Sequence, residues 1–372
     1  MSVRIAHVFG ALNFGGVESM ALRLIQHLRS PEFQHVAIVL TDRPQDRSAD
    51  FEKVDGLARY TCPLDTGHRA AFVRNMGQLL SSIKPDCVLA YNFGNHAWVA
   101  MAAHRAGVPR TLVRVAGSPT RDWRTRWRST ILAHLARPFC AGEIAVSHTV
   151  ARELTHGLGL PRRRVAVIPN GCDVEQIERE VAAARGLAGR SSGWRILMVS
   201  RMDDAKDHGT LLRAVERLRR ASRQLRLTLV GDGPLRAENE RLATSLGIRD
   251  AVEFLGNRSD VSAHMAQATV VVHATHTEGM PNVLLEAMAA GVPIVASDIP
   301  PVREVLDDGR CGLLVRPRDA VKMADAIERV HDPDVAGPFV DAALRRVRAE
   351  YSISECVGRY AALLDGAVVE GE

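Results

Sequence analysis

A chain of 372 residues with 46% hydrophobic and 24% charged side chains is too long for one ordinary domain and has the makeup of two soluble ones. Disordered and fibrous classes are excluded, and no apolar run reaches the roughly 18–20 residues of a membrane-spanning helix. A net charge of +5 fits an anionic ligand or surface. Six cysteines without a Cys-x-x-Cys pair read as reduced, mostly buried thiols of a cytosolic protein.

The N-terminal residues are too short and too polar for a signal peptide and read as a first strand, with the apolar run Arg4–Phe9. Gly15-Gly16 leads into an amphipathic stretch from Val17 to Leu28. Short apolar runs follow at His35–Leu40, Cys87–Tyr91, Thr111–Val115 and Glu143–Val146, separated by helix-length segments such as His96–Ala106. Strands alternating with helices predict parallel sheets with right-handed crossovers. Ala182–Gly193, rich in small residues, reads as a linker.

After it the rhythm restarts. Strands are predicted at Arg195–Val199, Leu225–Val230, Val252–Phe254, Val270–His273 and Ile294–Ala296. Helices are predicted at Gly209–Arg219, Leu235–Leu246 and Val283–Ala290, the last opened by Pro281-Asn282. The expected architecture is α/β: two doubly wound parallel-sheet domains over residues 1–183 and 194–349, joined at about 184–193. Such halves receive ligands in a cleft, outside the carboxyl ends of their strands.

Four motifs stand at those ends. In His276–Pro293, Gly279, Pro281 and Asn282 form a tight turn whose backbone amides open a helix, an anion site by its free N–H groups and dipole. Glu286 lies one turn inside on a face shared with Leu285 and Met288, where it either binds a ligand or merely complements the dipole. Arg201-Met-Asp-Asp-Ala-Lys206 follows a strand and offers a forked and a mobile cation to phosphate. A solvated loop is the plain alternative, weakened at Lys206 because the chain has only three other lysines, Lys53, Lys84 and Lys322. Gly231-Asp-Gly233-Pro234 lacks the third glycine of a dinucleotide fingerprint. Asn13–Glu18, with Gly15 and Gly16, is either a close approach to a ligand or an ordinary turn.

In this order, the motifs resemble the retaining glycosyltransferases of family four, which have the two-domain GT-B fold. The resemblance is densest from Trp194 to Asp319. It takes in Arg201–Lys206, Leu229–Pro234, Val252–Asn257, the glutamates Glu278 and Glu286 and Ala296–Glu304, and also Ile168-Pro-Asn170-Gly-Cys-Asp173. It implies that Arg201 and Lys206 hold the donor's diphosphate and that Glu278 sits beside the transferred sugar. Amides of Gly279, Met280, Pro281, Asn282 and Val283 would surround sugar hydroxyls or phosphate, and Glu286 would take the ribose hydroxyls. The backbone of Phe254, Leu255 and Gly256 would meet the base. Asn170, Gly231 and Gly233 belong to the same donor set, and Gly15 and Gly16 would let the first domain close on donor and acceptor. A C-terminal helix at about 350–372, Ser352–Leu364 within it, would complete the first domain.

The implied chemistry is transfer from a nucleotide diphosphate sugar, UDP-linked first, to a glycan, lipid carrier or small metabolite. The leaving diphosphate would accept the acceptor's proton on the front face, with no metal and no other cofactor. Asp332-Pro-Asp334 lies in a late turn and carries no metal reading. Where relatives carry a loop histidine, this chain has Ala116 or Gly117; His96 is the nearest substitute as a catalytic group, with Arg114 and Ser118 as others. Arg121-Asp-Trp-Arg-Thr-Arg-Trp-Arg128 reads as solvated arginines with tryptophans packed on the domain, ahead of a weak contact with anionic lipid or phosphate. The expected location is the cytoplasm, with the inner membrane face as an extension. Two further readings remain: a nucleotide-sugar epimerase of the same fold, and a non-catalytic nucleotide-sugar-binding subunit. A nucleic-acid role has no motif behind it.

Overall fold

The computed structural model describes residues 2–13, 15–28, 32–43, 47–64, 67–91, 93–187, 193–221 and 224–364. The chain divides into two compact units, one running to Gly171 and taking in the helix Ile353–Leu364, the other spanning Cys172–Ser352.

The first unit is built on seven parallel strands, β1 (Val3–Phe9), β2 (Phe33–Val39), β3 (Ala58–Thr61), β4 (Cys87–Ala90), β5 (Arg110–Val115), β6 (Gly142–Ala145) and β7 (Val165–Val167), in the order β3-β2-β1-β4-β5-β6-β7. Its inner strands are largely apolar and buried because helices cover both faces of the sheet, whereas the edge strand β3 is exposed. Along β1 the two-residue period splits the side chains. Ile5 and Phe9 enter one core with Met20, Leu24 and Tyr360, while Ala6 and Val8 enter the other with Met76, Leu80 and Val99.

Two buried polar groups on this sheet have identifiable partners. His35 Nε2 lies 3.1 Å from the Leu28 carbonyl, which can only accept, so His35 Nδ1 is an acceptor. His7 Nε2 then donates to it at 2.9 Å, and His7 Nδ1 accepts from the Tyr91 hydroxyl at 2.9 Å. Burial, with His35 alongside, holds the His7 imidazole well below its ordinary pKa, in keeping with this neutral chain. The second group is Arg114 on β5, 2% exposed. Its Nε donates to the Tyr360 hydroxyl at 3.0 Å, its Nη2 to Asn170 Oδ1, and its guanidinium lies 5.9 Å from the Tyr91 ring centre. Arg110, four residues earlier on the same strand, donates to the Leu363 and Leu364 carbonyls at 2.7 and 2.8 Å. A cation there satisfies the last carbonyls of the helix Ile353–Leu364 and complements the negative end of its dipole.

The second unit has six parallel strands, β8 (Trp194–Val199), β9 (Leu225–Val230), β10 (Val252–Gly256), β11 (Val270–His273), β12 (Ile294–Ser297) and β13 (Leu313–Val315), in the order β10-β9-β8-β11-β12-β13. Counted within the unit this is 3-2-1-4-5-6, the dinucleotide-fold order, with its reversal between β8 and β11. The first unit reverses in the same way between β1 and β4.

Several expectations differ from the structure. The helix Val174–Leu187 occupies residues 182–187, read above as linker, because Val174, Ile177 and Val181 are buried as it packs on the helices Val261–Gln267 and Asn282–Ala289 of the second unit. The units therefore part at Gly171/Cys172 rather than near residue 183. Residues 188–192 of the expected linker, and residues 365–372 of the C-terminal segment, lie outside the described residues. Asp332 is not in a turn but caps the helix Pro333–Glu350, accepting from the Asp334 amide at 3.0 Å. The tryptophans expected to pack on the domain stand out from it: Trp123 is 74% and Trp127 65% exposed. All six cysteines are buried free thiols.

Tyr360→Phe removes the acceptor of a buried guanidinium N–H. It is expected to lower the unfolding free energy by about 1–3 kcal/mol, which a urea titration followed by circular dichroism will read.

Candidate active site

At the reversal in the second unit, the loops leaving β8 and β11 are stitched together. The His276 amide donates to the Ala205 carbonyl at 2.8 Å and the Asp207 amide to Ala274 at 3.0 Å, leaving Lys206 and Thr275 paired as an antiparallel bridge. Asp207 then caps the helix His208–Arg220, accepting from the Thr210 amide at 3.2 Å, and its second oxygen accepts from the Arg318 amide at 3.1 Å. The stitching fixes where Lys206 points. Its ammonium meets Glu278 Oε1, which also accepts from His273 Nε2 at 2.8 Å and lies 3.2 Å from the Thr275 hydroxyl. Lys206 and Glu278 are 15% and 12% exposed at the side chain, and His273 only 2%.

Charge decides the protonation states. Burial pushes the Glu278 carboxyl up, but Lys206 and His273 more than offset it and leave it at about 2. Burial lowers His273 despite its bond to Glu278, so its imidazole is neutral and donates from Nε2. His208, behind the cluster and 3.2 Å from the Ser200 hydroxyl, is brought down to about 4 by burial and then by the Lys206 charge. The result is one ionised carboxylate beside one ammonium at the end of a parallel sheet. A carboxylate at about 2 is a poor proton acceptor and a good hydrogen-bond acceptor.

The other donor-side residues are placed as follows. Arg201 is 67% exposed and turned onto Asp203, with Nε–Oδ2 3.0 Å. Gly231 (φ 124°) and Gly233 (φ 157°) lie where a Cβ would fall 2.1 Å from the Ser200 carbonyl oxygen and 2.4 Å from that of Met202. Close packing of the β9 turn under the Arg201 loop thus accounts for both glycines. The Phe254 carbonyl accepts from Arg236 Nη2 at 3.1 Å, and Leu255 is half-buried next to it. Gly279, Met280 and Pro281 are buried, Asn282 and Val283 half-buried, as they enter the helix Asn282–Ala289. Glu286 is half-buried on that helix, with Leu285 and Met288 buried.

In the first unit, Gly15 caps and Gly16 begins the helix Gly16–His27 after β1. His96 begins the helix His96–Arg105 after β4, so both lie at the carboxyl side of the reversal. His96, however, has no exposed surface, gives its Nδ1 to the Phe93 carbonyl and stacks on the Phe93 ring at 4.3 Å. Burial brings it to about 4. Asn170 is likewise turned inward, 4% exposed and bonded to Arg114, so its side chain serves the first unit's core. Ser118 donates to Glu153 Oε2 at 2.6 Å. A cavity of about 340 Å³ opens beside these loops, lined in part by Phe93, Gly94, Gly117, Ser118, Arg124 and Arg128. Sequence reasoning missed His273, Thr275 and Asp207. A polar residue closing the apolar run Val270–His273, and an aspartate one place before a helix, were the signals available.

Two family profiles match the chain. One, described as glycosyl transferases group 1, covers residues 193–332, and the other, glycosyltransferase family 4, covers residues 14–176. The chain is 30% identical over 333 residues to the putative glycosyltransferase EpsF of Bacillus subtilis, spanning 84% of this chain and 83% of that protein. It is 28% identical to the alpha-D-kanosaminyltransferase of Streptomyces kanamyceticus, over 66% of this chain and 64% of that one. In structure it is similar to Anabaena HepE, solved in complex with UDP and glucose, with a TM-score of 0.85 at 20% identity over 98% of this chain and 100% of that one.

Acid should unfold the protein in two steps. His96 and His208 have folded pKa values of about 4, below their ordinary 6.5, so the unfolded chain binds protons first and stability falls as pH drops from 6.5 to about 4. Glu278, ordinarily 4.5 and about 2 when folded, stabilises above 4.5 and loses that contribution as pH falls toward 2. The second loss is on the order of 3 kcal/mol. Urea unfolding across this range is expected to show both steps in the native chain and only the first in Glu278→Gln.

Proposed function

The chain belongs to the family 4 glycosyltransferases with the GT-B fold, and from that membership we propose that it moves a hexose from a UDP-sugar to an acceptor hydroxyl with retention at the anomeric carbon. The observation that carries the proposal is the Lys206–Glu278 pair at the ends of β8 and β11, held by His273 and Thr275. There the donor's diphosphate meets Lys206, with Arg201 swinging from Asp203 to join it, and the sugar lies beside Glu278. The uridine complexes of HepE support the choice of base.

The assignment of roles follows from charge. The leaving diphosphate develops negative charge as its bond to the sugar breaks, and Lys206, held in place beside it, stabilises that charge together with Arg201 once it has turned from Asp203. No metal is given a role, because Lys206 and Arg201 fill the one that a divalent ion would take. Glu278, held near pKa 2, neither donates nor removes a proton at neutral pH; it accepts hydrogen bonds from sugar hydroxyls and keeps Lys206 in place. The acceptor's proton therefore passes to the departing phosphate on the same face, and positioning supplies the rest of the rate. Glu286 takes the ribose hydroxyls from its place on the helix Asn282–Ala289. His96, buried and neutral, shapes the Phe93–His96 turn and transfers no proton. The acceptor is a glycan, a lipid carrier or a small metabolite; among the relatives, one name contains a phosphatidyl-myo-inositol and another L-malate.

Arg201→Ala is expected to lower kcat/KM by about 10- to 150-fold, the scale of one charge-assisted hydrogen bond of 1.5–3 kcal/mol, with chelator leaving the native rate unchanged. Thermal-shift titration should rank UDP-hexoses above GDP- and ADP-sugars, with about 2.7 kcal/mol of stabilisation at a hundredfold excess over Kd. Donor hydrolysis and transfer that are both unchanged in Arg201→Ala and in Glu278→Ala would overturn the assignment, and conversion of the sugar without an acceptor would make the protein an epimerase.

A further inference from the structure

The helix Trp123–Ala136 has two apolar sides. Ser129, Ala133 and Ala136 are buried against the first unit. Half a turn away, Trp123, Trp127, Ile131 and Leu135 follow one another at four-residue spacing, 74%, 65%, 46% and 39% exposed. That spacing lines them up as one crest along the outer face. Among the described residues, these four make up most of the large hydrophobic side chains that are exposed.

Arginines flank the crest. Arg124 and Arg128 follow one side of it, and Arg126 the other, all three exposed. Arg124 lies 5.3 Å from the centre of the Trp123 ring, and Arg126 reaches back to the Gly157 carbonyl at 3.2 Å. The first turn holds no acidic residue, although cations there oppose the helix dipole. Helix stability therefore does not explain the arginines, and core packing does not explain the tryptophans. An apolar crest between guanidinium rows matches the depth profile of a bilayer interface, with indole rings at headgroup level and cations at phosphate level. Charge complementarity selects an anionic leaflet. Arg124 and Arg128 also line the 340 Å³ cavity beside the crest, which leaves room for a headgroup between them.

We propose that the helix Trp123–Ala136 seats the protein on the surface of an anionic phospholipid bilayer, lying in the interface plane with Trp123, Trp127, Ile131 and Leu135 inserted. It is an attachment independent of the sugar-transfer reading, and no helix among the described residues is long and apolar enough to cross a membrane.

Co-sedimentation of the full chain with vesicles tests it, comparing mixed phosphatidylcholine and phosphatidylglycerol with phosphatidylcholine alone. The native protein should sediment with the mixed vesicles, much less with the neutral ones, and less as salt rises. Trp123→Ala/Trp127→Ala should bind about tenfold more weakly and lose the blue shift in tryptophan emission. Arg124→Ala/Arg128→Ala should lose about 30-fold on the mixed vesicles alone. The altered side chains are exposed, so both variants should keep the native melting temperature. A folded native protein that ignores both vesicles, or binds them equally, overturns the proposal. So does a tryptophan variant that binds the mixed vesicles as tightly as the native protein, or a native dimer that this variant disperses without any vesicle binding.

Discussion

A parallel strand can be followed by its neighbour only through a crossover, and every strand of both sheets here runs parallel to its partners. All carboxyl ends of a sheet then lie on one edge, and where successive crossovers leave in opposite directions the chain order leaves a gap at that edge. In the second unit that gap falls between β8 and β11. The positions of Lys206, Thr275 and Glu278 are consequences of this, as are Gly231 and Gly233, which let the β9 turn lie under the β8 loop.

Within the gap, a second constraint operates. A lysine and a glutamate that are mostly withdrawn from water are tolerable only as partners, and each needs its remaining hydrogen-bonding capacity answered. Glu278 has Lys206, His273 and the Thr275 hydroxyl around one oxygen. The ammonium is thus held as a charge already neutralised. The mostly exposed Arg201 has no such constraint and can move.

The sequence disclosed the parts of this that periodicity encodes. Leu225–Val230 places apolar residues around Arg226 and Thr228, Val270–His273 is a run of three valines closed by a histidine, and both are strands with those bounds. The strand Ala58–Thr61 is an edge with all four side chains exposed, so it has no hydrophobic pattern to read. β7 and β13, at three residues each, are too short for a period to register. The helix Val174–Leu187 ends in small residues that resemble a linker, and only contacts made far along the chain show it to be packed. Asn170 read as a donor contact because its motif did, while its partner Arg114 lies 56 residues away. The Lys206–Glu278 contact, 72 residues apart, was legible only through resemblance. The exposed tryptophans were misjudged because composition cannot tell which apolar side of a two-sided helix faces the core.

The helix Ile353–Leu364 has a consequence for synthesis. It belongs to the first unit, where Tyr360 answers the buried Arg114 and Arg110 closes the helix end, yet it is translated after the whole of the second unit. The second unit is one continuous stretch and can close as it leaves the ribosome, whereas the first must wait with a guanidinium only partly satisfied. Domains usually fold in the order in which they are made; here the order of completion is reversed, and the N-terminal unit is the last to be finished.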